Sequence, residues 1–163
     1  MAPRTGIGYD VHRLAAGRRL VLGGVELPSE VGLDGHSDAD VLTHAVIDAL
    51  LGAAALGDIG MHFPDSDERY RDADSIVLLR EVGERVRAAG HRIVNIDATL
   101  MLEQPKLGDA RERMRERLAD ALGVEPSAVN VKATTGAALG FVGRGEGAAA
   151  LAIAPLDGCS APL

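Results

Sequence analysis

Residues 35–67 read GHSDADVLTHAVIDALLGAAALGDIGMHFPDSD, and the fold turns on how this stretch is understood. Across residues 39–56 most positions are Val, Leu, Ile or Ala, the composition of a helix that protein covers on several sides. Ser37 is a good N-cap and Asp40, three residues on, suits the electropositive first turn. The S-x-x-D start therefore resembles a capping box with Asp in place of the usual Glu or Gln, and Gly57 is the expected stop. The exceptions within this apolar run are ionisable. Asp40, His44 and Asp48 recur at i, i+4 and i+8, which at about 100° per residue sets them on one narrow stripe, and His36 lies just before the helix. Singly, Asp40 could only cap, Asp48 only meet solvent and His44 be a satisfied core histidine. As a set they need a metal, a charge partner or a wet cleft, because unpaired burial is costly.

Working outward, residues 5–14 alternate, with Ile7, Tyr9 and Val11 on one face and Gly8, Asp10 and His12 on the other, the period of a half-buried strand. Asp10 and His12 therefore point the same way. With His44 from the helix they form two imidazoles and one carboxylate, a set that fits an open catalytic zinc site and also non-haem Fe(II). Residues 19–27 read as two short strands broken at Gly23-Gly24 and ended by Pro28, and residues 30–35 as a loop. Residues 57–74, rich in Gly, Asp and Ser, are long for a connection and make a candidate substrate-covering loop.

Asp74 or Ser75 caps a second helix with Leu78, Leu79, Val82 and Val86 as its apolar stripe. Residues 91–102 alternate as one strand that Pro105 ends, and Asp109 starts a third helix with Met114, Leu118 and Leu122 inward and Gly123 at its end. Residues 129–134 form another strand, delivering Thr134, Thr135 and Gly136 into a turn whose hydroxyls and amides could hold phosphate oxygens. Phe141 opens the glycine-rich FVGRGEG, and the Ala-rich residues 148–153 predict a strand buried on both faces. The sum is an α+β fold, three principal helices on a mixed sheet of about four longer strands.

With 163 residues, 47% hydrophobic and 25% charged, the chain is expected to form one domain over residues 1–163. Two Phe, two Tyr and no Trp leave a core of Leu, Val, Ile and Ala. A net charge of −7 without a basic patch argues against nucleic acid as a partner, and a small anionic substrate would need local neutralisation that metal ions can provide. The lone Cys159 excludes an intramolecular disulfide. With no apolar leader in MAPRTGIGYDVHRL and no uncharged span of membrane length, a cytoplasmic protein without a membrane partner is expected.

Taken in order, GYDVHRL, GHSDADVLTHAVIDALLGAAALGDIG, FPDSD, QPK, KATT and GFVGRGEG resemble the 2-C-methyl-D-erythritol 2,4-cyclodiphosphate synthases of the non-mevalonate isoprenoid pathway over nearly the whole chain. The resemblance implies a Bacillus chorismate mutase-like α/β sandwich, a homotrimer with active sites between subunits, and a reaction. In that reaction 4-diphosphocytidyl-2-C-methyl-D-erythritol 2-phosphate becomes the cyclic diphosphate and CMP. Carried over by position, Asp10, His12 and His44 match the Zn2+ ligands, and Asp10 and His12 also count among the substrate contacts. His36 and Ser37 match substrate contacts, with His36 and Thr135 as the transition-state stabilisers. Asp58, Ile59, Gly60, Phe63, Pro64, Asp65, Ser66 and Asp67 match the methylerythritol and phosphate loop. Leu102, Lys106, Leu107 and Gly108 match a cytidine pocket supplied by the neighbouring subunit, and Thr134, Thr135, Phe141 and Arg144 the remaining nucleotide and phosphate contacts. Asp48 would orient groups around the site.

One departure stands out. After KATT the family usually has Thr and then an acid that binds a second divalent ion, Mg2+ or Mn2+, whereas this chain has Gly136 and Ala137. The diphosphate and waters can still hold such an ion, since Mg2+ commonly keeps few protein ligands. Arg144 and Glu146 match a pair near the trimer axis, beside a cavity expected to take isoprenoid diphosphates. Three other readings use the same residues: a metal-dependent phosphohydrolase, a metal-stapled trimer that binds nucleotide or isoprenoid without turnover, and a non-haem iron oxygenase, which leaves the phosphate-handling residues unexplained.

Overall fold

A helix, α1 (Val41–Ala54), is the element the others surround, and 12 of its 14 residues are buried. The computed structural model describes residues 2–158, so Cys159 lies outside the described residues. Strand β1 (Arg4–Ala16) runs directly across α1. Gly6 and Gly8 make this possible: a Cβ at Gly6 would stand 2.0 Å from the Ala49 carbonyl oxygen, and one at Gly8 1.8 Å from that of Ala45. Strand and helix thus meet backbone to backbone, which only glycine permits.

The N-terminus of α1 corrects the sequence reading. Asp40, not Ser37, is the N-cap, and its carboxylate accepts from Thr43 N (3.0 Å) and Thr43 Oγ1 (2.7 Å). Ala39, at φ 55°, breaks the helical path between the two residues. The buried Asp40 also accepts from the Gly23 and Gly24 amides at 2.9 and 2.7 Å, which satisfies it without a ligand. Ala55, at φ 57°, ends α1 before Gly57 is reached.

The main sheet has the order β4-β1-β8-β6-β7, built from β4 (Val31–Leu33), β1, β8 (Gly147–Gly158), β6 (Ile96–Met101) and β7 (Val129–Thr134). It is mixed: β6 and β7 run parallel and the other pairs antiparallel. A sixth strand, β5 (His91–Ile93), pairs with the end of β8, while β2 (Leu20–Leu22) and β3 (Val25–Leu27) form a separate hairpin. Helices α3 (Ser75–Ala88) and α4 (Ala110–Leu122) complete the helical layer, α3 against α1 and α4 against α3 and β7. Two single-turn helices, α2 (Ile59–His62) and α5 (Gly140–Gly143), lie in the connections.

Three further expectations change. Residues 30–35 are not all loop, because Val31–Leu33 pair with the far end of β1, a three-residue strand too short to show alternation. Residues 91–102 are two strands on one partner. Their register slips by one residue between Ile93↔Leu156 and Asp97↔Ile153, as at a β-bulge. Finally, β8 is not buried on both faces: Leu151 and Ile153 stand exposed beside Ile7 (69% exposed) and Tyr9 (52%), while Ala148, Ala150, Ala152 and Ala154 turn inward. The apolar face of β1 is the open one, and its glycine face is the packed one.

Candidate active site and metal centre

Beyond Gly8 the inner face of β1 continues as Asp10 and His12, and the part of α1 beneath them carries His44. Asp10 Oδ2 lies 2.9 Å from His12 Nε2 and 3.0 Å from His44 Nδ1, and the two nitrogens are 3.3 Å apart. Four-coordinate zinc with bonds of 2.0–2.1 Å needs ligand atoms roughly 3.3–3.4 Å apart, so this triangle is slightly tighter than a loaded one.

The far side of each ring decides what the triangle can hold. His12 Nδ1 donates to the Asp34 carbonyl oxygen (2.9 Å), which leaves Nε2 as a lone pair when the ring is neutral. His44 Nε2 faces Ser75 Oγ (2.8 Å), and Ser75 Oγ donates its own proton to Asp38 Oδ1 (2.5 Å), which turns a hydroxyl lone pair toward His44. With both ring protons on the far nitrogens, two lone pairs and a carboxylate converge, a donor set that takes up a cation. A divalent metal fits the donor set. Without one, a proton on an imidazole serves. Burial pushes the Asp10 carboxyl up, but the hydrogen bonds and charges of His12 and His44 outweigh it and hold it at about 2. Burial likewise opposes charge on His12, yet the hydrogen bond and charge of Asp10, aided by Asp34 and Asp65, raise its pKa.

These three residues open into a cleft of about 490 Å³ that His36, Ser37, Ile59, Gly60, Phe63, Pro64 and Asp65 also line. Arg18 fixes the segment before α1 by donating to the carbonyls of Leu33, Gly35 and Ser37. His36 Nε2 lies 3.1 Å from the Asp67 carbonyl oxygen, and the Asp72 amide donates to the His36 carbonyl, so this loop and residues 67–72 hold each other. Phe63 is buried against Tyr70, with the Arg85 guanidinium over its ring. Asp58 caps α2 through the Met61 amide, Asp67 caps the turn after it and pairs with Arg69, and Ser66 is exposed. Asp48 accepts from the Ile59 amide at 2.8 Å and so ties the loop to α1. Burial raises its pKa, against that amide and with the charges of Asp58 and Asp10. The expected stripe thus divides: Asp40 caps, His44 joins the triangle and Asp48 holds the loop.

The other expected contacts lie elsewhere. Leu102, Lys106, Leu107, Thr134 and Thr135 line a smaller cleft of about 190 Å³, and Gly108, at φ 51°, turns the chain beside it. Phe141 and Arg144 sit on and just after α5, with Arg144 donating to Glu146 (2.6 Å). Glu103 accepts from the amides of Gly136 (2.7 Å) and Ala138 (3.3 Å), and Ala137 and Ala138 both adopt left-handed backbone there, at φ 52° and 61°. Among the described residues, one chain does not bring His36 and Thr135 into one cavity.

A family model described as the YgbB family matches residues 3–157. The chain belongs to the YgbB family. Among its relatives, the 2-C-methyl-D-erythritol 2,4-cyclodiphosphate synthase of Alkaliphilus oremlandii is 58% identical over 153 residues, covering 94% of this chain and 98% of that one. The bifunctional IspDF structure from Campylobacter jejuni superposes with a TM-score of 0.93 at 43% identity; the match covers 96% of this chain, which spans only 42% of that longer protein. A CDP-bound 2C-methyl-D-erythritol-2,4-cyclodiphosphate synthase structure gives a TM-score of 0.86 at 39% identity, over 94% of this chain and all of that one.

Four residues of this YgbB site escaped the sequence reading: Asp34, through its carbonyl, and Asp38, Ser75 and Glu103, through their side chains. Ser75 was legible only as a helix start. Asp38, between Ser37 and Ala39, falls off the 40/44/48 stripe and has no periodicity of its own.

Proposed function

We propose that this chain converts 4-diphosphocytidyl-2-C-methyl-D-erythritol 2-phosphate to 2-C-methyl-D-erythritol 2,4-cyclodiphosphate with release of CMP, as a single domain acting in the cytoplasm. The observation that carries the reading is the Asp10/His12/His44 triangle in a chain of the YgbB family. The substrate's own 2-phosphate oxygen attacks the β-phosphorus of the diphosphate in line. One P–O bond forms, the bond from that phosphorus to the bridging oxygen breaks, and CMP leaves with the bridging oxygen. No protein nucleophile is needed, so the chain's task is to bring two anionic groups together and to stabilise charge on the equatorial oxygens.

Asp10, His12 and His44 would hold the divalent ion, Zn2+ in this reading, which supplies Lewis-acid withdrawal of charge from the β-phosphate. His36 and Ser37 stand in the same cleft to direct donors at phosphate oxygens, and Ile59, Gly60, Phe63, Pro64 and Asp65 line the part that would enclose the methylerythritol, with Asp58, Ser66 and Asp67 in the same loop. Mg2+ or Mn2+ would enter with the diphosphate, more weakly than where an acid replaces Ala137.

Homotrimeric assembly of the chorismate mutase-like kind is supported by two features. The outer face of β1 and β8 is apolar and open, and Thr135 lies apart from His36 within one chain. In this assembly a neighbour's Leu102, Lys106, Leu107, Gly108, Thr134 and Thr135 complete the nucleotide end of the site, with Phe141 and Arg144 beside them, and the axis offers a cavity for an isoprenoid diphosphate. The test is ³¹P NMR of the protein with the diphosphocytidyl substrate, zinc present and magnesium titrated. Cyclic diphosphate and CMP are expected. Open-chain phosphates would establish a hydrolase instead, and unchanged substrate on a zinc-loaded, assembled protein a binding role.

A further inference from the structure

His44 reaches the triangle through Nδ1 while Nε2 points away from it, and a neutral imidazole has one proton for its two nitrogens. Which nitrogen is free to hold a cation therefore depends on what stands behind Nε2. Ser75 Oγ stands there at 2.8 Å and Ser37 Oγ at 3.2 Å. A hydroxyl can donate or accept, so neither serine alone selects a tautomer. Asp38 does. It can only accept, and its Oδ1 lies 2.5 Å from Ser75 Oγ, which commits the hydroxyl proton to the carboxylate and turns an oxygen lone pair toward His44.

We propose that Asp38 is a positioning residue which, through the buried Ser75 hydroxyl, keeps the His44 proton on Nε2 and leaves Nδ1 as the metal-facing lone pair. Asp38 is built into this place from every side. Its Oδ2 accepts from the Ser75 amide (2.9 Å), its Oδ1 also from the Asp40 amide (3.1 Å), and its own amide donates to the Ala73 carbonyl (3.1 Å). Both oxygens face donors only, so an asparagine must turn its NH2 either against the Ser75 amide or against the Ser75 hydroxyl and the Asp40 amide. The second choice reverses the hydroxyl, which then donates to His44 Nε2 and drives the ring proton to Nδ1, into the place of the ion. Asp10 Oδ2, 3.0 Å from Nδ1, would accept it there. Two carboxylates therefore compete for the orientation of one ring, Asp10 from the front and Asp38 through Ser75 from behind. The link also couples the start of α3 to a ligand on α1, since Ser75 is the first residue of α3.

This inference rests on the metal reading of the site and not on the reaction assigned to it, and its test is separate from turnover. Imidazole ¹H–¹⁵N correlation spectra of the metal-free protein at mildly alkaline pH report the His44 tautomer, and competition with a chromophoric chelator reports zinc affinity. Asp38→Asn and Ser75→Ala should move the His44 balance toward Nδ1–H relative to the parent. Both should weaken zinc binding by roughly 10- to 100-fold, as loss of a group behind a metal ligand does, and Ser75→Thr should restore it. Should Asp38→Asn not fold, Ser75→Ala carries the same test, because it leaves the Asp38 bond to the residue 75 amide in place. A lowered unfolding midpoint with unchanged tautomer and unchanged affinity would mean that Asp38 and Ser75 serve only to join two helices, and would overturn the proposal. An affinity loss without a tautomer shift, or the reverse, would overturn it as well. If the protein proved to be a hydrolase, a positive result here would stand.

Discussion

The two faces of β1 solve opposite problems with alternate residues of one strand. On the inner face Gly6 and Gly8 let the strand touch α1, and the next two inward positions, Asp10 and His12, meet His44. On the outer face Ile7, Tyr9 and Val11 stand in the open, in register with Ile153, Leu151 and Ala149 of β8. The same rows continue through β6 to β7 as Asp97 and Asn130, Thr99 and Lys132, and Met101 and Thr134. The inner face is complete within one chain and brings the Asp10/His12/His44 triangle together. The outer face passes from an apolar middle to a polar edge, the pattern that the proposed assembly would cover. Geometry is specified on one side of the sheet, and the other is the face through which the proposed assembly would form.

The contrast breaks most severely at Gly8. Gly8→Ala should cost about 3 kcal/mol or more in urea-induced unfolding, since a β-carbon has no room beside the Ala45 backbone, whereas Ile7→Ser on the other face should cost the chain far less. A parent-like midpoint for Gly8→Ala would show that strand and helix can separate. Removing the metal comes next. With zinc at a hundredfold excess over its dissociation constant the folded state gains about 2.7 kcal/mol, so chelation should lower stability by that amount, and cyclisation should cease. His44→Ala should show no zinc-dependent stabilisation at all.

Tyr9→Asp tests the outer face. On the proposed assembly it should cost the isolated chain no more than about 1 kcal/mol, while sedimentation shows single chains in place of trimers and cyclisation is lost with the inter-subunit site. A trimer of full activity would move the interface elsewhere.

The smallest effect belongs to the polar edge. The hydrogen bond from Lys132 (2.6 Å), against slight burial and with help from Asn130, lowers the Asp97 pKa. A carboxylate lowered in the folded state contributes stability above its ordinary value of 3.8 and loses it as pH falls below that. Because the pair is exposed, Lys132→Met should remove only about 0.2–1 kcal/mol at neutral pH, and the difference from the parent should vanish in acid.

Alternation of hydrophobic and polar residues divided β1 into two faces but could not say which of them another element covers. Glycine at two inner positions was the available signal, since a face without side chains can be covered only by something very close. The three residues of the triangle were legible because spacing along one strand and one helix aligned them, and the order of helices and strands gave the α+β class. Asp38 and Ser75 were not legible, because 37 residues separate them and their meeting depends on how α3 docks. Likewise the three-residue β4 exists only because β1 runs on beyond β8 to receive it.

Gly6 and Gly8 carry a mechanical consequence. A strand resting on side chains inherits their rotameric play, but this one rests on the carbonyls of Ala45 and Ala49, in the same turns of helix that carry His44 and Asp48. Asp10 stands two residues beyond that point of contact, so the lever arm between bearing and ligand is one pleat of a strand. This contact fixes the backbones of β1 and α1 against each other, so the spacing of the triangle is left to the side-chain torsions of Asp10, His12 and His44.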